Sequence, residues 1–333
     1  MSAPRHALVT GATGGLGLTL VPTLLAAGYR VRATGRSAAA LDRLAAMGAE
    51  PRAADLTDGQ ALPALCAGVN VVFHAAALSS PWGPFETFER INVTATRQLL
   101  VAADGAGCDG FIFVSSPSIY AAPRDRIGLT EQSPPEAPAM NAYAATKLAA
   151  ERLVLAANGP RMKTVAIRPR AVMGPDDSVL LPRLLRIVQR GRFPLINGGK
   201  ALVELTDVRD ACRALLLADD HRVAAAGQAI NISGGRPVTI RALVEALGEV
   251  AGRPIRFKPV SVGFVMRVAG LLETICGLLP GRPEPPVTRY GVATLAFSQT
   301  FDLGRARSLL GYEPHHDAVA SARETAAQVL GRA

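Results

Sequence analysis

The chain has 333 residues, of which 49% are apolar and 19% charged, so it can bury a sizeable core and does not belong to the disordered class. This length fits two domains, or one α/β domain with an added substrate-binding lobe. The formal net charge is +9, but the arginines are scattered without a run of five, which argues against a nucleic-acid-binding protein.

The cysteines and the N-terminus bear on the compartment. The chain reaches a strand-like apolar run at residues 6–10, which leaves no room for a signal peptide. We therefore expect a cytoplasmic protein. The cysteines are far apart, with no CxxC pair and no histidine at metal-ligand spacing, so we expect neither a disulfide framework nor a metal site. These residues are Cys66, Cys108, Cys212 and Cys276.

Short apolar runs alternate with longer helical patterns through the first half of the chain. The apolar runs predict strands at residues 7–10, 29–33, 50–53, 69–74, 110–115 and 164–168, with a returning strand at 228–232. The helical patterns predict helices at residues 16–27, 38–47, 86–103 and 142–157. This alternation predicts an α/β fold, a Rossmann-type doubly wound parallel sheet with helices on both faces.

After Pro169 the alternation ends, and glycine and proline become frequent. We predict a dinucleotide-binding domain over residues 1–170, joined by a returning segment at about 207–233. Residues 171–206 and 234–333 are predicted to form a smaller C-terminal substrate-binding lobe.

The most apolar stretch of the chain covers residues 260–279, where Arg267 and Glu273 are the only charges and Pro280 follows. A membrane-spanning helix needs about 20 apolar residues with few charges, so we expect no transmembrane segment. The plainest interpretation is a helix packed in the substrate lobe. Two alternatives stay open: the wall of an apolar substrate pocket, and a surface that makes peripheral contact with a membrane.

The sequence TGATGGLG at residues 10–17 directly follows the first predicted strand. Gly11 permits a tight turn, Gly14 lets a pyrophosphate approach the backbone, and Gly17 lets the helix pack on the strand. A plain glycine-rich turn is the alternative, but the strand-turn-helix context favours dinucleotide binding. The predicted cofactor contacts in this motif are Gly11, Thr13, Gly14, Gly15, Leu16 and Gly17.

The end of the second predicted strand bears on the choice of cofactor. An acidic side chain here would bind the ribose 2′-hydroxyl of NAD, but Gly35 stands at this place, followed by Arg36 and Ser37. A guanidinium and a hydroxyl suit a 2′-phosphate, so we favour NADP(H), with NAD(H) as the alternative. Arg36 could equally be a solvated surface residue.

Two further segments follow predicted strands in the order that such a cofactor requires. Asp55 and Leu56 follow the third strand, where a carboxylate can accept a hydrogen bond from the adenine amino group. Ala75 and Ala76 follow the fourth strand, where small side chains let the ribose lie against the backbone. Each segment alone has a local explanation, a capping aspartate or a tight helix contact, and it is their order that supports a cofactor site.

A tyrosine and a lysine at helical spacing carry the predicted chemistry. Tyr143 and Lys147 lie one helical turn apart, so their side chains emerge on one face. A nearby ammonium, helped by an oxidised nicotinamide, lowers the pKa of a phenol from its usual value of about 10, and the phenol can then act as a general acid and base. Ser116, at the end of the fifth strand, is predicted to hydrogen-bond the same substrate oxygen.

With these motifs, the chain resembles the extended short-chain dehydrogenase/reductase family along nearly all its length. The matching segments are TGATGGLG, ADL, HAAA, INVTATRQLL, VSSPSIY, YAATK, IRPRAVMGPDD and LLGYEP. The resemblance implies Ser116 rather than Ser115 as the active serine. It also implies that Asn92 braces the lysine through water, and that the segment from Pro169 to Val172 lies beside the nicotinamide.

Within the family, the chain is most similar to the 3β-hydroxysteroid dehydrogenase-like branch, which includes sterol-4-carboxylate 3-dehydrogenases and 2-alkyl-3-oxoalkanoate reductases. The segments that carry this similarity are residues 80–83, 141–147 and 282–289. The branch implies a hydrophobic small-molecule substrate, a 3β-hydroxysteroid or a long-chain β-hydroxy or β-keto acid, bound by Trp82, Ser116 and Tyr143. We further expect a homodimer.

Two other functions remain as alternatives. A nucleotide-sugar epimerase on the same fold would retain its cofactor through the cycle. The related dehydratases carry an Asp-Glu pair after the active hydroxyl residue, whereas Pro117 and Ser118 stand here. A non-catalytic NADP(H)-binding regulator is disfavoured because both Tyr143 and Lys147 are present.

Overall fold

A computed structural model of the chain describes residues 4–177 and 181–331. Its strands are β1 His6–Thr10, β2 Arg30–Gly35, β3 Glu50–Ala53, β4 Val71–His74, β5 Gly110–Val114, β6 Arg126–Leu129, β7 Lys163–Pro169, β8 Val172–Met173, β9 Arg192–Ile196, β10 Leu202–Val203, β11 Thr206–Asp207, β12 Gln228–Ile232, β13 Val238–Thr239, β14 Arg256–Val260 and β15 Gln299–Phe301.

The α-helices are α1 Gly15–Ala26, α2 Ala38–Ala46, α3 Leu62–Cys66, α4 Phe85–Phe88, α5 Ala95–Gly105, α6 Ala142–Ala156, α7 Leu181–Val188, α8 Val208–Asp220, α9 Ile240–Val250, α10 Val262–Leu278, α11 Arg289–Ala296, α12 Gly304–Leu310 and α13 Ala318–Val329. A π-helical turn at Glu89–Thr94 joins α4 to α5. Two 3₁₀ turns lie at Pro117–Tyr120 and Asn197–Gly199.

The central sheet has seven strands in the order β12-β7-β5-β4-β1-β2-β3, and every pair in it is parallel. The predicted Rossmann-type parallel sheet is thereby confirmed. The chain moves outward from β1 to β3 and then crosses to β4 on the other side of β1. The crevice between the carboxyl ends of β1 and β4 is the switch point, the place where open α/β sheets bind their ligands.

Helices cover both faces of this sheet, as predicted. On β1, Val9 packs into a cluster with side chains of α1 and α8, including Leu20 and Leu215. Its neighbour Leu8 points to the opposite face, into a cluster with Leu99 of α5 and other side chains of α3 and α6. Because successive side chains on a strand alternate between faces, a strand buried on both sides is apolar at every position.

The C-terminal lobe has its own small sheets. One has four strands in the order β13-β10-β15-β6, and two pairs, β11-β8 and β14-β9, stand beside it. The core of the lobe includes Leu184 of α7, Phe193 of β9 and Leu247 of α9. β6 pairs with β15 although its residues fall within the predicted first domain. The boundary drawn at residue 170 therefore stays a prediction.

α10 covers the apolar stretch for which the sequence predicts a helix packed in the lobe. Its inner side packs on β9 and α11, where Val265 and Met266 lie against Ile196 and Val292. Its outer side is not packed, so that expectation is wrong for half of the helix. The exposed apolar residues of the outer side are Phe264, Val268, Leu271, Ile275 and Leu278. Within the described residues, every helix is too short or too polar to cross a bilayer.

Candidate active site

The loop between β1 and α1 has a shape that depends on two of its glycines. Gly11 has a φ of +67°, and a Cβ there would lie 2.7 Å from the backbone nitrogen of Ala76, which follows β4. A Cβ on Gly17 would lie 2.3 Å from the carbonyl oxygen of Gly11. Neither distance is compatible with a side chain, so the loop can pack on the segment after β4 only with glycine at both positions.

Gly14 and the start of α1 form the open side of this loop. The nearest atom to a Cβ on Gly14 would be the Gly11 oxygen at 3.4 Å, so the space above Gly14 is free. α1 begins without a side-chain cap and without an acidic residue in its first turn. Its first N–H groups are therefore available to an anion, and the loop fits the pyrophosphate of a dinucleotide.

The residues between and beside these glycines fix the position of the loop. The side chain of Thr13 fills the space beside Gly35, where a Cβ would lie 2.3 Å from the threonine Oγ1. A Cβ on Gly15 would lie 2.5 Å from the Asp176 oxygen, so the segment after β8 passes directly over the loop. Leu16 is partly buried against the core.

The residues predicted to bind the adenosine end follow β2 and β3. Arg36 is exposed, and among the described residues no carboxylate forms an ion pair with it. Ser37 caps α2, where its Oγ accepts the N–H of Ala40 at 3.3 Å. Asp55 accepts two hydrogen bonds from Thr57, both at 2.9 Å, and these lower the pKa of its carboxyl. Ser37 and Asp55 thus have structural partners, whereas Arg36 does not.

Lys147 lies buried against the end of β5. α6 begins at a side-chain cap, where Asn141 Oδ1 accepts the N–H of Ala144 at 2.8 Å. One turn further on, Lys147 Nζ donates to the carbonyl oxygen of Val114 at 2.6 Å and lies 4.0 Å above the ring centre of Phe113. Burial lowers the pKa of Lys147 to about 7, and only Glu151 acts in the opposite direction. This amine can therefore hold or release a proton near neutral pH.

Tyr143 projects toward Ser116 from the preceding turn of α6. Burial raises the pKa of Tyr143, while the hydroxyls of Ser116 and Ser79 lower it. The sequence predicts a lowered pKa caused by the Lys147 ammonium. That expectation is wrong for the protein's own groups, because the ammonium points at the Val114 carbonyl and burial is the largest influence on the phenol.

The structure separates the two adjacent serines. Ser115 donates to Glu151 at 2.6 Å, and Glu151 is bound by Arg168 through two hydrogen bonds of 2.7 and 2.5 Å. Ser116 Oγ accepts the N–H of Ser118 at 3.2 Å, at the start of the 3₁₀ turn, and its hydroxyl interacts with that of Tyr143. Ser116 is therefore the serine that faces the phenol.

Asn92 lies in the π-helical turn and connects two elements of the site. Its Oδ1 accepts the N–H of Leu78 at 2.7 Å, and its Nδ2 donates to the Leu78 oxygen and to Thr146 Oγ1 at 3.1 Å. The asparagine thus joins the loop after β4 to α6, one residue before Lys147. π-Helical turns are frequent at functional sites. The water link from Asn92 to Lys147 stays a prediction.

The predicted cofactor residues therefore gather along the carboxyl edge of the sheet. The glycine loop follows β1, Ala75 follows β4 and donates its N–H to the Thr10 oxygen at 3.2 Å, and Pro169 ends β7. Val172 pairs with Thr206 in the small sheet that β8 forms with β11.

Known proteins resemble this chain over nearly its whole length. The model of the NAD dependent epimerase/dehydratase family matches residues 7–233. The 2-alkyl-3-oxoalkanoate reductase of Stenotrophomonas maltophilia is 36% identical over 312 residues, 92% of this chain and 94% of that protein. The 3 beta-hydroxysteroid dehydrogenase/Delta 5-->4-isomerase of Mycobacterium tuberculosis is 31% identical over 323 residues, 92% and 85% of the two chains. The solved structure of MoeE5 in complex with UDP-glucose and NAD is 27% identical, with a TM-score of 0.76 over 98% of this chain and 99% of that one.

The chain belongs to the NAD dependent epimerase/dehydratase family. The family resemblance stated from the motifs is thereby confirmed. The chain is an NAD(P)-dependent dehydrogenase/reductase of the extended short-chain type.

Trp82 connects the cleft of this dehydrogenase to the C-terminal lobe. Its Nε1 donates to the carbonyl oxygen of Arg282 at 3.0 Å, and its ring lies 3.9 Å from the position of a Cβ on Gly277 in α10. These contacts hold the loop after β4 against the end of α10. Its contact with substrate stays a prediction.

Sequence reasoning missed three residues of the cleft. Ser79 and Tyr290 interact with Tyr143, and Arg170 interacts with Tyr290. Arg170 could have been predicted from the sequence, because it lies inside the segment from Pro169 to Val172. Tyr290 did not, because α11 is far from this segment in the chain and no spacing rule connects them.

Proposed function

We propose that this dehydrogenase interconverts a secondary alcohol and a ketone on a hydrophobic substrate, with NADP(H) preferred over NAD(H). The observation that carries the proposal is the placement of Tyr143 beside Ser116 and one helical turn before the buried Lys147. A hydroxyl donor, a phenol and an amine with a pKa of about 7 form a proton path that ends at the substrate oxygen.

The protein's part in the reaction is to orient the substrate and move one proton. In the reducing direction, Tyr143 Oη donates its proton to the ketone oxygen while Ser116 Oγ donates a hydrogen bond to the same oxygen. Lys147 then supplies the proton that Tyr143 has lost. Since burial raises the pKa of Tyr143, the phenol holds its proton until the oxygen of the substrate takes it. The nicotinamide cofactor, when bound, supplies or accepts the hydride.

The residues proposed to hold the cofactor follow from the shape of the sheet edge. The open face of Gly14 and the uncapped start of α1 suit its pyrophosphate. Lys147 lies where it could also bind the nicotinamide ribose. The further residues proposed to contact the cofactor are Gly11, Thr13, Gly15, Leu16, Gly17, Arg36, Ser37, Asp55, Leu56, Ala75, Ala76, Tyr143, Pro169 and Val172.

A hydrophobic substrate is supported by the apolar surface beside the cleft. Trp82 packs on the end of α10, and α10 exposes an apolar stripe that includes Phe264 and Leu271. The names of the relatives, an alkyl-oxoalkanoate reductase and a hydroxysteroid dehydrogenase, also support it. The proposed substrate classes are accordingly a 3β-hydroxysteroid and a long-chain β-hydroxy or β-keto acid.

The test is a series of secondary alcohols of increasing chain length, with cofactor reduction followed at 340 nm. Burial of each CH₂ contributes about 0.8 kcal/mol, so kcat/KM should rise about fourfold per carbon until the pocket is full. A flat or falling series would contradict the hydrophobic substrate.

An epimerase acting on nucleotide sugars is the second candidate, because MoeE5 was solved with UDP-glucose and NAD. An epimerase returns its hydride to the sugar, so it causes no net change at 340 nm. Conversion of UDP-glucose to an isomer without net cofactor reduction, by a chain that oxidises none of the alcohols, would favour this candidate. A chain that binds NADP(H) but converts neither substrate would instead be a regulator.

A further inference from the structure

Three arginines of the described residues are less than a tenth exposed, and they differ in their partners. Arg32 binds Glu50 at 3.2 Å, and Arg168 binds Glu151 through two hydrogen bonds. Among the residues that the structure describes, Arg170, at 9% exposure, has no ion pair and no side-chain hydrogen bond, and its buried Nε has no partner. A guanidinium stays charged at any physiological pH, and burial of an unpaired charge destabilises the folded chain.

The carboxylate that acts on Arg170 electrostatically does not serve as the missing partner. It belongs to Glu204, and among the described residues the two form no ion pair. Its oxygens are already bound, one by the hydroxyl of Ser233 and the other by the N–H of Phe301 at 3.1 Å. Burial also raises the pKa of Glu204. The charge of Arg170 is therefore left for an anion from outside the chain.

Arg170 stands at the carboxyl end of β7. It directly follows Pro169 at the end of β7, next to β5, whose end leads into Ser116. The backbone after it is held in an unusual conformation, since Ala171 has a φ of +43°. An L-residue in the left-handed region costs about 1 kcal/mol, and such strain is concentrated at binding sites.

One side of Arg170 borders a small cavity that it shares with α11. The residues of α11 in that lining are Ala293 and Thr294. Tyr290 precedes Ala293 by three residues and Thr294 by four, so it projects from the same face of α11. Its hydroxyl interacts electrostatically with both Arg170 and Tyr143. Burial raises the pKa of Tyr290 to about 12, so it remains a neutral donor.

We propose that Arg170 and Tyr290 form an anion-binding subsite that receives a carboxylate of the substrate while the reacting oxygen faces Tyr143. The guanidinium fork matches the two oxygens of a carboxylate, and the tyrosine hydroxyl supplies one more donor. The inference rests on the proposed function. It narrows the substrate to an acid whose hydroxyl or keto group is close to the carboxylate, the β-hydroxy or β-keto acid class.

The experiment compares an acid with its own ester. Oxidation of 3-hydroxydecanoate and of methyl 3-hydroxydecanoate is followed at 340 nm with saturating cofactor, for the wild type, Arg170→Met, Arg170→Lys and Tyr290→Phe. Charge-assisted hydrogen bonds are worth about 10- to 150-fold in affinity, so Arg170→Met should lower kcat/KM for the acid at least tenfold. In this variant, kcat/KM for the ester should change less than about twofold. For Arg170→Lys, kcat/KM for the acid should lie between the values of the wild type and Arg170→Met.

The matched control is Arg161→Met, which removes an arginine that is 80% exposed and pairs only with Asp104. This variant should leave kcat/KM unchanged for both the acid and the ester. Equal losses on acid and ester in Arg170→Met would overturn the subsite, and so would a wild type that prefers the ester. Thermal melting shows whether a variant is folded, and Tyr290→Phe provides a second test should Arg170→Met be unfolded.

A binding measurement separates the subsite from the proposed function. If the wild type oxidises neither of these compounds nor a 3β-hydroxysteroid, the dehydrogenase proposal fails, and titration calorimetry with decanoate then decides the subsite. Binding that falls at least tenfold in Arg170→Met supports it, and binding that does not change overturns it. UDP is titrated in parallel: Arg170-dependent binding of UDP that is tighter than that of decanoate assigns the site to phosphate and overturns the carboxylate.

Discussion

Two groups of polar residues lie near the ends of the neighbouring strands β5 and β7, and they differ in how fully their hydrogen bonds are satisfied. On the side of the sheet, Ser115, Glu151, Arg168 and Tyr120 bind one another, and the Arg168 guanidinium donates to Tyr120 at 2.5 Å. On the side of the cleft, the hydroxyls of Ser116 and Ser79 interact with that of Tyr143, and among the described residues the buried Nε of Arg170 keeps unused hydrogen-bonding capacity.

This contrast separates stability from function. A closed network satisfies its own charges, so its loss should unfold the protein. Groups with unused capacity contribute little to folding, and an unpaired guanidinium even opposes it. Variants of the first set should therefore lose stability, and variants of the second should lose activity at nearly unchanged stability.

The largest expected effect is on turnover. Tyr143→Phe removes the hydroxyl that transfers the proton, and general acid–base catalysis is worth about 10²- to 10⁴-fold, so kcat should fall by at least 100-fold. In Lys147→Met, kcat should fall by a similar factor, because Tyr143 then loses the group that supplies its proton. Cofactor binding, measured by fluorescence, should be largely intact in Tyr143→Phe.

The control is Tyr29→Phe, which removes a hydroxyl that donates to Asp219. Tyr29 directly precedes β2 and so lies at the amino end of that strand, whereas the cleft lies at the carboxyl ends. The kcat of this variant should stay near the wild-type value. Near wild-type turnover in Tyr143→Phe would contradict the role given to this residue.

The second effect tests the closed network. Arg168→Met leaves Glu151 buried at 2% exposure without its partner, and breaking a buried pair costs about 3–5 kcal/mol of unfolding free energy. Urea denaturation measures this loss. The double variant Arg168→Met, Glu151→Leu removes both charges and should recover part of it. Arg170→Met should be as stable as the wild type or more so, and a loss as large as that of Arg168→Met would erase the contrast.

The strands of the central sheet could be predicted from the sequence, whereas the hydrogen-bond network of Ser115, Glu151, Arg168 and Tyr120 could not. β12 was predicted at its observed limits because a strand buried in a parallel sheet reads as a short apolar run between turn residues. β3 was also predicted at its observed limits, although it is an exposed edge strand of sequence EPRA. The pairing of Ser115 with Glu151 and Arg168 was not predictable, since no local pattern joins three residues from β5, α6 and β7. Nor was β6, a four-residue strand whose partner lies at Gln299–Phe301.

The same distinction holds within the site. Tyr143 and Lys147 were found because their spacing is local to one helix, and Ser116 because it ends a strand. The π-helical turn inside the helix predicted at 86–103 was missed, because an inserted residue changes hydrogen bonding without changing the apolar pattern. The lowered pKa expected for Tyr143 was wrong because burial and the direction of a lysine side chain are properties of the packed structure.

The third effect concerns the cofactor. Arg36→Ala should weaken NADPH binding about 10- to 150-fold, the value of a charge-assisted contact to phosphate, and weaken NADH binding far less. The reason is that Arg36 forms no ion pair within the described part of the chain, so its charge can meet a 2′-phosphate. Titration of both cofactors measures the ratio of the two affinities. Arg30→Ala, at the opposite end of β2, serves as the control, and equal weakening of the two cofactors by Arg36→Ala would favour NAD(H).

The smallest effect is a pH dependence of stability that Lys147 alone should produce. Burial lowers its pKa from 10.5 to about 7 in the folded chain, so between these values the unfolded chain binds a proton that the folded chain does not. The unfolding free energy should therefore rise with pH, by about 1.4 kcal/mol per unit.

The window from pH 7 to 8.5 isolates this residue. His74, whose pKa is lowered to about 3, has completed its contribution below this range. The thiols of Cys66, Cys108 and Cys212, whose pKa values burial raises, begin to oppose the trend only near pH 9. Urea denaturation at pH 7.0 and 8.5 should show a gain of about 2 kcal/mol in the wild type and none in Lys147→Met. If both proteins show the same slope, burial does not lower the pKa of Lys147 to this extent.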